Sequence, residues 1–242
     1  MNESLSPAER ARANAARRRK YAREAPNYDN EMDLIERWFF GTEHRGWACS
    51  HAVGNTLEVA IGTGLNIPHY PADVSLTGLD LTPEMLALAA TSANRIDRMI
   101  ELREGDAQEL PFEDASFDTV VCTYGLCSVP DDARAISEMK RVLRPGGRLI
   151  LVDHIRSSVK PIFWCQWLYE RIWSRARGGH VTRRPALIVT AAGFRIQARD
   201  RLRAGLIERL VAVKPEQSCE VAEVRADGRH RTLIARRAST TD

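Results

Sequence analysis

Residues 57–66 read Leu-Glu-Val-Ala-Ile-Gly-Thr-Gly-Leu-Asn, an apolar run that carries Glu58 and stops at Gly62-Thr63-Gly64. A second apolar run, Leu76-Thr-Gly-Leu79, ends on Asp80, 22 positions after Glu58. The pattern is that of a strand, a turn bare enough for backbone N–H groups to touch a ligand, and a second strand offering a carboxylate. A carboxylate in that place can accept hydrogen bonds from both hydroxyls of a ribose. Further on, Glu104-Gly105-Asp106-Ala107-Gln108 places acidic and amide groups where an adenine amino group can be bound. The run Phe117–Tyr124 would end beside the same crevice, delivering Thr123. Gly-x-Gly alone is weak, since glycines also mark ordinary turns. The convergence of four segments at the carboxyl ends of strands is the stronger signal.

Two histidines can do proton chemistry near such a crevice. His154 follows the run Leu149–Asp153, and His180 lies in a Gly-Gly-His segment that can fold back over the pocket. Either can deprotonate or orient an acceptor; the bland alternative for each is a loop-anchoring histidine. Cys127 can shape a pocket or simply fill space. The five cysteines (49, 122, 127, 165 and 219) form no C-x-x-C pair and have no histidine at metal spacing, so neither a disulfide framework nor a zinc site is expected. Reduced thiols of this kind fit a cytoplasmic enzyme.

These groups must be positioned by alternating elements. Strand-like runs fall at 56–61, 74–80, 99–103, 118–123, 148–153, 194–199 and 206–213, with helical stretches at 83–94, 132–143, 160–176 and 184–192. Thr82-Pro83-Glu84 starts a helix with proline at the first helical position, and Pro145-Gly146-Gly147 turns the chain into a strand. Alternation of this kind predicts an α/β fold: a Rossmann-like, seven-stranded, mostly parallel sheet with helices on both faces. The expected organisation is an N-terminal helical lid or extension over 1–50, a catalytic domain over 51–215 and a disordered tail over 216–242. Met32, Leu34, Ile35, Trp38, Phe39 and Trp47 recur at roughly helical spacing and predict a helix packed on the domain.

Composition narrows the class without naming a function. Hydrophobic residues make up 44% and charged residues 28%, the balance of an ordinary globular domain. A net charge of +3 is too small for a nucleic-acid footprint, so no nucleic-acid partner is expected. The first 25 residues carry a crowd of arginines but no apolar h-region, and no run of 18 apolar residues occurs anywhere.

Taken together, Glu58-Val-Ala-Ile-Gly62-Thr-Gly64, Asp80, Gly105–Phe112, Ser116-Phe117-Asp118 and Arg141-Val-Leu-Arg-Pro145-Gly146-Gly147 resemble the class I S-adenosylmethionine-dependent methyltransferases over about residues 28–214. The competing NAD-type dinucleotide fold wants a third glycine or alanine three residues after Gly64, where this chain has Ile67. Ala60 departs from the resemblance, standing where many members carry glycine. A finer similarity, through Val121–Val129, Val152-Asp153-His154 and Gly179–Arg183, is to the methyltransferase-like thiol S-methyltransferases, with the ubiquinone/menaquinone ring and phospholipid N-methyltransferases sharing the framework.

The resemblance implies S-adenosyl-L-methionine as cofactor. It assigns Glu58, Gly62 and Gly64 to the methionine end, Asp80 with Leu81 to the ribose, Asp106 and Ala107 to adenine, and Thr123 to the amino-acid moiety. It implies a small, lipophilic acceptor, with a thiol first and a quinone-type ring carbon or phospholipid amine as alternatives. A non-catalytic protein that only binds the cofactor or a partner is the reading from another class. Tyr21 and Tyr28-Asp29 fall where relatives carry a lid. Residues 161–173, with Trp164, Trp167 and Trp173, suit either a core or a lipophilic surface, and with the N-terminal arginines they raise peripheral contact with a membrane.

Overall fold

The structure, a computed structural model, describes residues 5–174 and 179–216. The expected tail, apart from Glu216, and the Trp173 side chain lie outside the described residues. The centre of the sheet forms because its strands are largely apolar on both faces, as two-sided burial requires. In the run Leu149-Ile150-Leu151-Val152, alternate side chains join opposite cores. Leu149 and Leu151 pack with Val120, Cys122 and the helices α5 (Asp132–Val142) and α7 (Pro185–Ala191). Ile150 and Val152 pack with Val121 and the helices α3 (Glu43–Ser50) and α4 (Pro83–Arg95). Helix α4 buries Met85, Ala89 and Ala93, one residue per turn.

Seven strands make one sheet in the order β3-β2-β1-β4-β5-β7-β6. They are β1 (Asn55–Val59), β2 (Ser75–Asp80), β3 (Glu101–Glu104), β4 (Phe117–Thr123), β5 (Leu143–His154), β6 (Arg195–Leu202) and β7 (Ile207–Val213). All pairings are parallel except those of β7, which runs antiparallel to both neighbours. The chain winds outward from β1 to β3 and then returns to β4, so β1 and β4 flank the topological switch point, where α/β sheets bind ligands. The predicted Pro145-Gly146-Gly147 turn is absorbed as a bulge inside β5, between the pairs Phe117↔Leu143 and Thr119↔Arg148.

Ahead of the sheet, α1 (Pro7–Glu24) begins with a capping box between Ser6 and Glu9 and buries none of its residues. Next come α2 (Tyr28–Ile35) and a π-helical turn (Glu36–Phe40) before α3. The predicted packing of this segment holds only in part. Phe40 and Trp47 rest on the core, whereas Leu34, Trp38 and Phe39 are exposed. Helical spacing aligned these residues on one face, but the π turn rotates Trp38 and Phe39 away from it. Helix α6 (Lys160–Tyr169) continues into a second π turn (Glu170–Ser174), and the last two positions of the predicted 160–176 helix lie outside the described residues. Among the described residues, no helix is long and apolar enough to cross a membrane.

Candidate active site at the switch point

The two glycines after β1 have different jobs. Gly62 (φ +58°) has nothing within 4 Å of where a Cβ would stand, so its backbone lies open to the crevice. Gly64 (φ +84°) is pressed against the helix behind it: a Cβ there would lie 2.5 Å from Ile67 Cδ1 and 3.1 Å from Ala89 Cα. Gly62 lines the crevice, and Gly64, predicted beside it, packs the loop onto α4 instead. Ala60 and Tyr124, at the ends of β1 and β4, also adopt left-handed backbone (φ 58° and 54°), a strain that non-glycine residues hold only where their surroundings enforce it. A Cβ on Gly125 would approach Ala60 Cβ to 2.7 Å, so the two strand ends meet closely.

Asp80 anchors the next position. Its Oδ2 accepts from the Gly62 N–H and its Oδ1 from the Thr82 N–H, both at 2.9 Å. Each oxygen keeps acceptor capacity for a ligand hydroxyl. Burial raises the Asp80 pKa, and these backbone donors work against that rise. Asp106 follows β3: its Oδ1 accepts from the Gln108 N–H at 2.9 Å, and its Oδ2 from Asn14 Nδ2 of α1 at 2.6 Å. Leu81, Ala107 and Thr123 complete the predicted lining. The crevice is a cavity of about 90 Å³ whose mouth is open to solvent.

Glu58 is placed otherwise than predicted. It is buried behind the crevice, where its Oε1 accepts from Asn66 Nδ2 at 2.7 Å. That amide also donates to Thr123 Oγ1 at 2.8 Å, so Glu58 acts on the lining through Asn66. Asn66 Oδ1 in turn accepts from Arg45 Nη1 at 3.0 Å, and Arg45 forms a buried, forked pair with Glu36 (2.9 Å and 2.5 Å to Oε1). The Arg45 guanidinium also lies over the Tyr124 ring. Sequence reasoning missed Glu36, Arg45 and Asn66. Asn66, eight residues after Glu58 in the loop that follows β1, was the most accessible of the three.

Desolvation pushes the Glu58 carboxyl up to about 7, with Tyr70, Arg45 and Asn66 opposing the rise. Tyr70 lies against the carboxyl without a well-directed hydrogen bond, leaving Oε2 and the Tyr70 hydroxyl unpartnered. Below about pH 4.5 the carboxyl is protonated in both states. As pH rises towards 7 the unfolded chain ionises first, costing the fold up to about 3 kcal/mol above pH 7. Glu58→Gln should therefore flatten the decline in stability between about pH 5 and pH 8 in denaturant titrations. An unchanged slope would mean that this carboxyl is already ionised in the fold.

Helix α1 lies across the Asp106 side of the crevice and is fastened by polar contacts. Arg17 donates to the Ser128 carbonyl, Arg18 pairs with Glu104, and the Tyr21 hydroxyl meets Ser128 Oγ at 2.5 Å. Tyr21 and Tyr28 both line the crevice, and burial pushes the Tyr28 phenol up to about 12, so it is neutral at ordinary pH. Asp29 accepts from Thr63 Oγ1.

His154 stands behind Tyr124 rather than in the lining. Its ring packs against Phe40 (4.4 Å) and Tyr124 (5.0 Å). Its Nδ1 is 3.6 Å from Asp153 Oδ1 and 3.7 Å from Cys127 Sγ, and its buried Nε2 has no partner. Asp153 also accepts from the backbone N–H groups of Cys127 and His154, and the Cys127 thiol is pushed well up by burial and by this carboxylate. His180 is further off. Its Nδ1 lies 3.0 Å from Glu170, its N–H donates to the Cys127 carbonyl, and it is absent from the lining.

S-adenosylmethionine fits this arrangement on two observations: the open position above Gly62 and the Asp80 carboxylate with acceptor capacity to spare. Residues 57–151 match the family model described as a methyltransferase domain. The chain is 42% identical over 111 residues to a phosphatidylethanolamine N-methyltransferase of Cereibacter sphaeroides, covering 45% of this chain and only 55% of that protein. It is 35% identical over 165 residues to a demethylmenaquinone methyltransferase of Lactiplantibacillus plantarum, covering 61% of this chain and 67% of that protein. Among solved structures, a SAM-dependent methyltransferase of Thermotoga maritima superposes with a TM-score of 0.61 at 21% identity, over 80% of this chain and 98% of that one. Its likeness speaks for the fold alone. With the strand order, the crevice and these relatives in agreement, the chain belongs to the class I S-adenosylmethionine-dependent methyltransferases.

Proposed function

We propose that the protein transfers a methyl group from S-adenosylmethionine to a lipophilic acceptor whose accepting atom carries a proton. The acceptor classes are those of the relatives: a phospholipid amine or a quinone-type ring carbon. A thiol, first in the sequence reading, is named by neither curated relative described above and gives way to these two. Reaching a lipophilic acceptor brings the protein to a membrane surface, as the sequence reading raised.

The cofactor supplies an electrophilic methyl on a sulfonium, so the protein's work is orientation and exclusion of water, worth roughly 7–11 kcal/mol in favourable cases. In this reading Gly62, Asp80, Leu81, Asp106, Ala107 and Thr123 hold the cofactor, with Glu58 and Gly64 supporting the loop from behind. The observation that carries the catalytic part is the His154 ring, which has a carboxylate beside Nδ1 and a buried Nε2 lacking a partner. A buried imidazole nitrogen left unpaired costs about 1–3 kcal/mol, and a proton-bearing acceptor would supply the missing partner. Nε2 takes that proton once Tyr124, which stands between it and the crevice, gives way, and Asp153 steadies the charge that results. His180, tied to Glu170, holds the 179–183 loop in place.

The test is a screen with labelled methyl donor against phosphatidylethanolamine, demethylmenaquinone and, as controls, alkyl thiols and hydrosulfide. His154→Ala should lower turnover about 100-fold or more while leaving cofactor affinity unchanged. Full turnover in that variant would remove His154 from the mechanism. Tight cofactor binding with transfer to no acceptor would favour the non-catalytic reading instead.

A further inference from the structure

Helix α6 is built almost wholly of apolar residues, yet none of them is buried. Trp164 is 62% and Trp167 41% exposed, and in the π turn after α2 Trp38 is 75% and Phe39 65% exposed. Globular proteins rarely leave large aromatic groups clustered in water without a use for them. The two clusters share one support. Phe40, at the end of the π turn, packs on His154 at the end of β5. From there the chain passes Ser157, whose hydroxyl donates to the Ala204 carbonyl at 2.7 Å, and enters α6. Gln166 fixes the helix from its inner side: Nε2 donates to the Ile155 and Val181 carbonyls, and Oε1 accepts from the Ser157 N–H. The tryptophans are thus held on the rim, not loosely strung.

Around α6 the charge is mainly of one sign, whereas exposed Asp33 and Glu43 flank Trp38 and Phe39. Arg156 lies over the Phe163 ring at 3.9 Å and Arg171 over Trp167 at 5.5 Å, while Lys160 is exposed at the helix start. The nearby acid, Glu170, turns inward to His180 and Thr182. Aromatic rings mixed with outward basic groups suit a bilayer interface.

We propose that α6 and the π turn form a docking face for an anionic lipid bilayer, with Trp38, Phe39, Trp164 and Trp167 inserted among the headgroups. The proposal rests on the lipophilic-acceptor reading and names the surface through which that acceptor is met. Its test is flotation of the full-length protein with vesicles of phosphatidylcholine, alone or mixed with phosphatidylglycerol. Binding should favour the mixed vesicles and fall about tenfold or more in Trp164→Ser/Trp167→Ser and in Trp38→Ser/Phe39→Ser. Lys160→Glu/Arg171→Glu, which changes only exposed groups, should abolish the preference for phosphatidylglycerol. Unchanged cofactor affinity would verify that each variant is folded.

No binding of the wild type to either vesicle, or undiminished binding in all three variants, would overturn the proposal. So would a dimer in sedimentation that the tryptophan variants dissociate, since the face would then pair two copies. Vesicle binding without methyl transfer to any acceptor would sink the functional reading and leave the docking face standing. Transfer to a detergent-dispersed acceptor without vesicle binding would do the reverse.

Discussion

Replacing Arg45 with methionine should destabilise the protein by about 3–5 kcal/mol, because Glu36 would remain as a buried carboxylate without its partner. The pair is well enclosed, with side-chain exposures of 11% and 9%, so water cannot take over the lost bonds. Arg45 also serves Asn66 and stands over Tyr124, and its loss therefore reaches Thr123 in the cofactor crevice. The companion variant Glu36→Leu/Arg45→Met should recover most of the stability, since apolar groups of similar volume often replace a buried pair at little cost. Denaturant unfolding of the single and double variants gives the comparison. A single variant within about 1 kcal/mol of the wild type would show that the pair is open to solvent. Cofactor affinity in the rescued double variant separates the two roles: stability returns, but the donor to Asn66 does not.

Asp80→Ala should weaken S-adenosylmethionine binding at least tenfold, as the loss of a charged hydrogen-bond partner typically costs about 1.5–3 kcal/mol. The true loss should exceed that minimum, because the same carboxylate also ties the Gly62 N–H to the Thr82 N–H. Without it, the open backbone at Gly62 loses its brace. Asp80→Asn keeps one acceptor oxygen and should fall between the wild type and the alanine variant. Titration calorimetry on the folded variants measures both. Undiminished affinity in Asp80→Ala would mean that the ribose sits elsewhere.

The centre of the sheet was legible in the sequence because its inner strands are covered on both sides, unlike the exposed edge strands β3 and β6. Runs such as Leu149–Val152 must then be apolar at every position, and the glycines and prolines between them mark the turns. Asp80 and Asp106 were legible because they end strands at the edge where ligands bind. Three things were not. The sequence cannot say which of two neighbouring glycines faces a ligand, and Gly62 and Gly64 divided that work by packing against different atoms. It gave no sign that Glu58 would be turned inward to Asn66, since an acid inside an apolar run reads alike whether it lines a pocket or braces one. Arg45 and Glu36 meet across a π turn, which breaks the periodicity on which helix reading depends. The composition of α6 was ambiguous for a related reason: an apolar helix looks the same in a core and on a bare rim.

The manner in which α1 is fastened bears on turnover. It covers the Asp106 side of the crevice through Asn14, Arg17, Arg18 and Tyr21, and it buries no residue of its own. A cover held by such bonds parts at little free-energy expense and is loosened further by dissolved ions. If S-adenosylhomocysteine leaves past this helix, its release should quicken as ionic strength rises, and a salt-independent off-rate in stopped-flow would exclude that path.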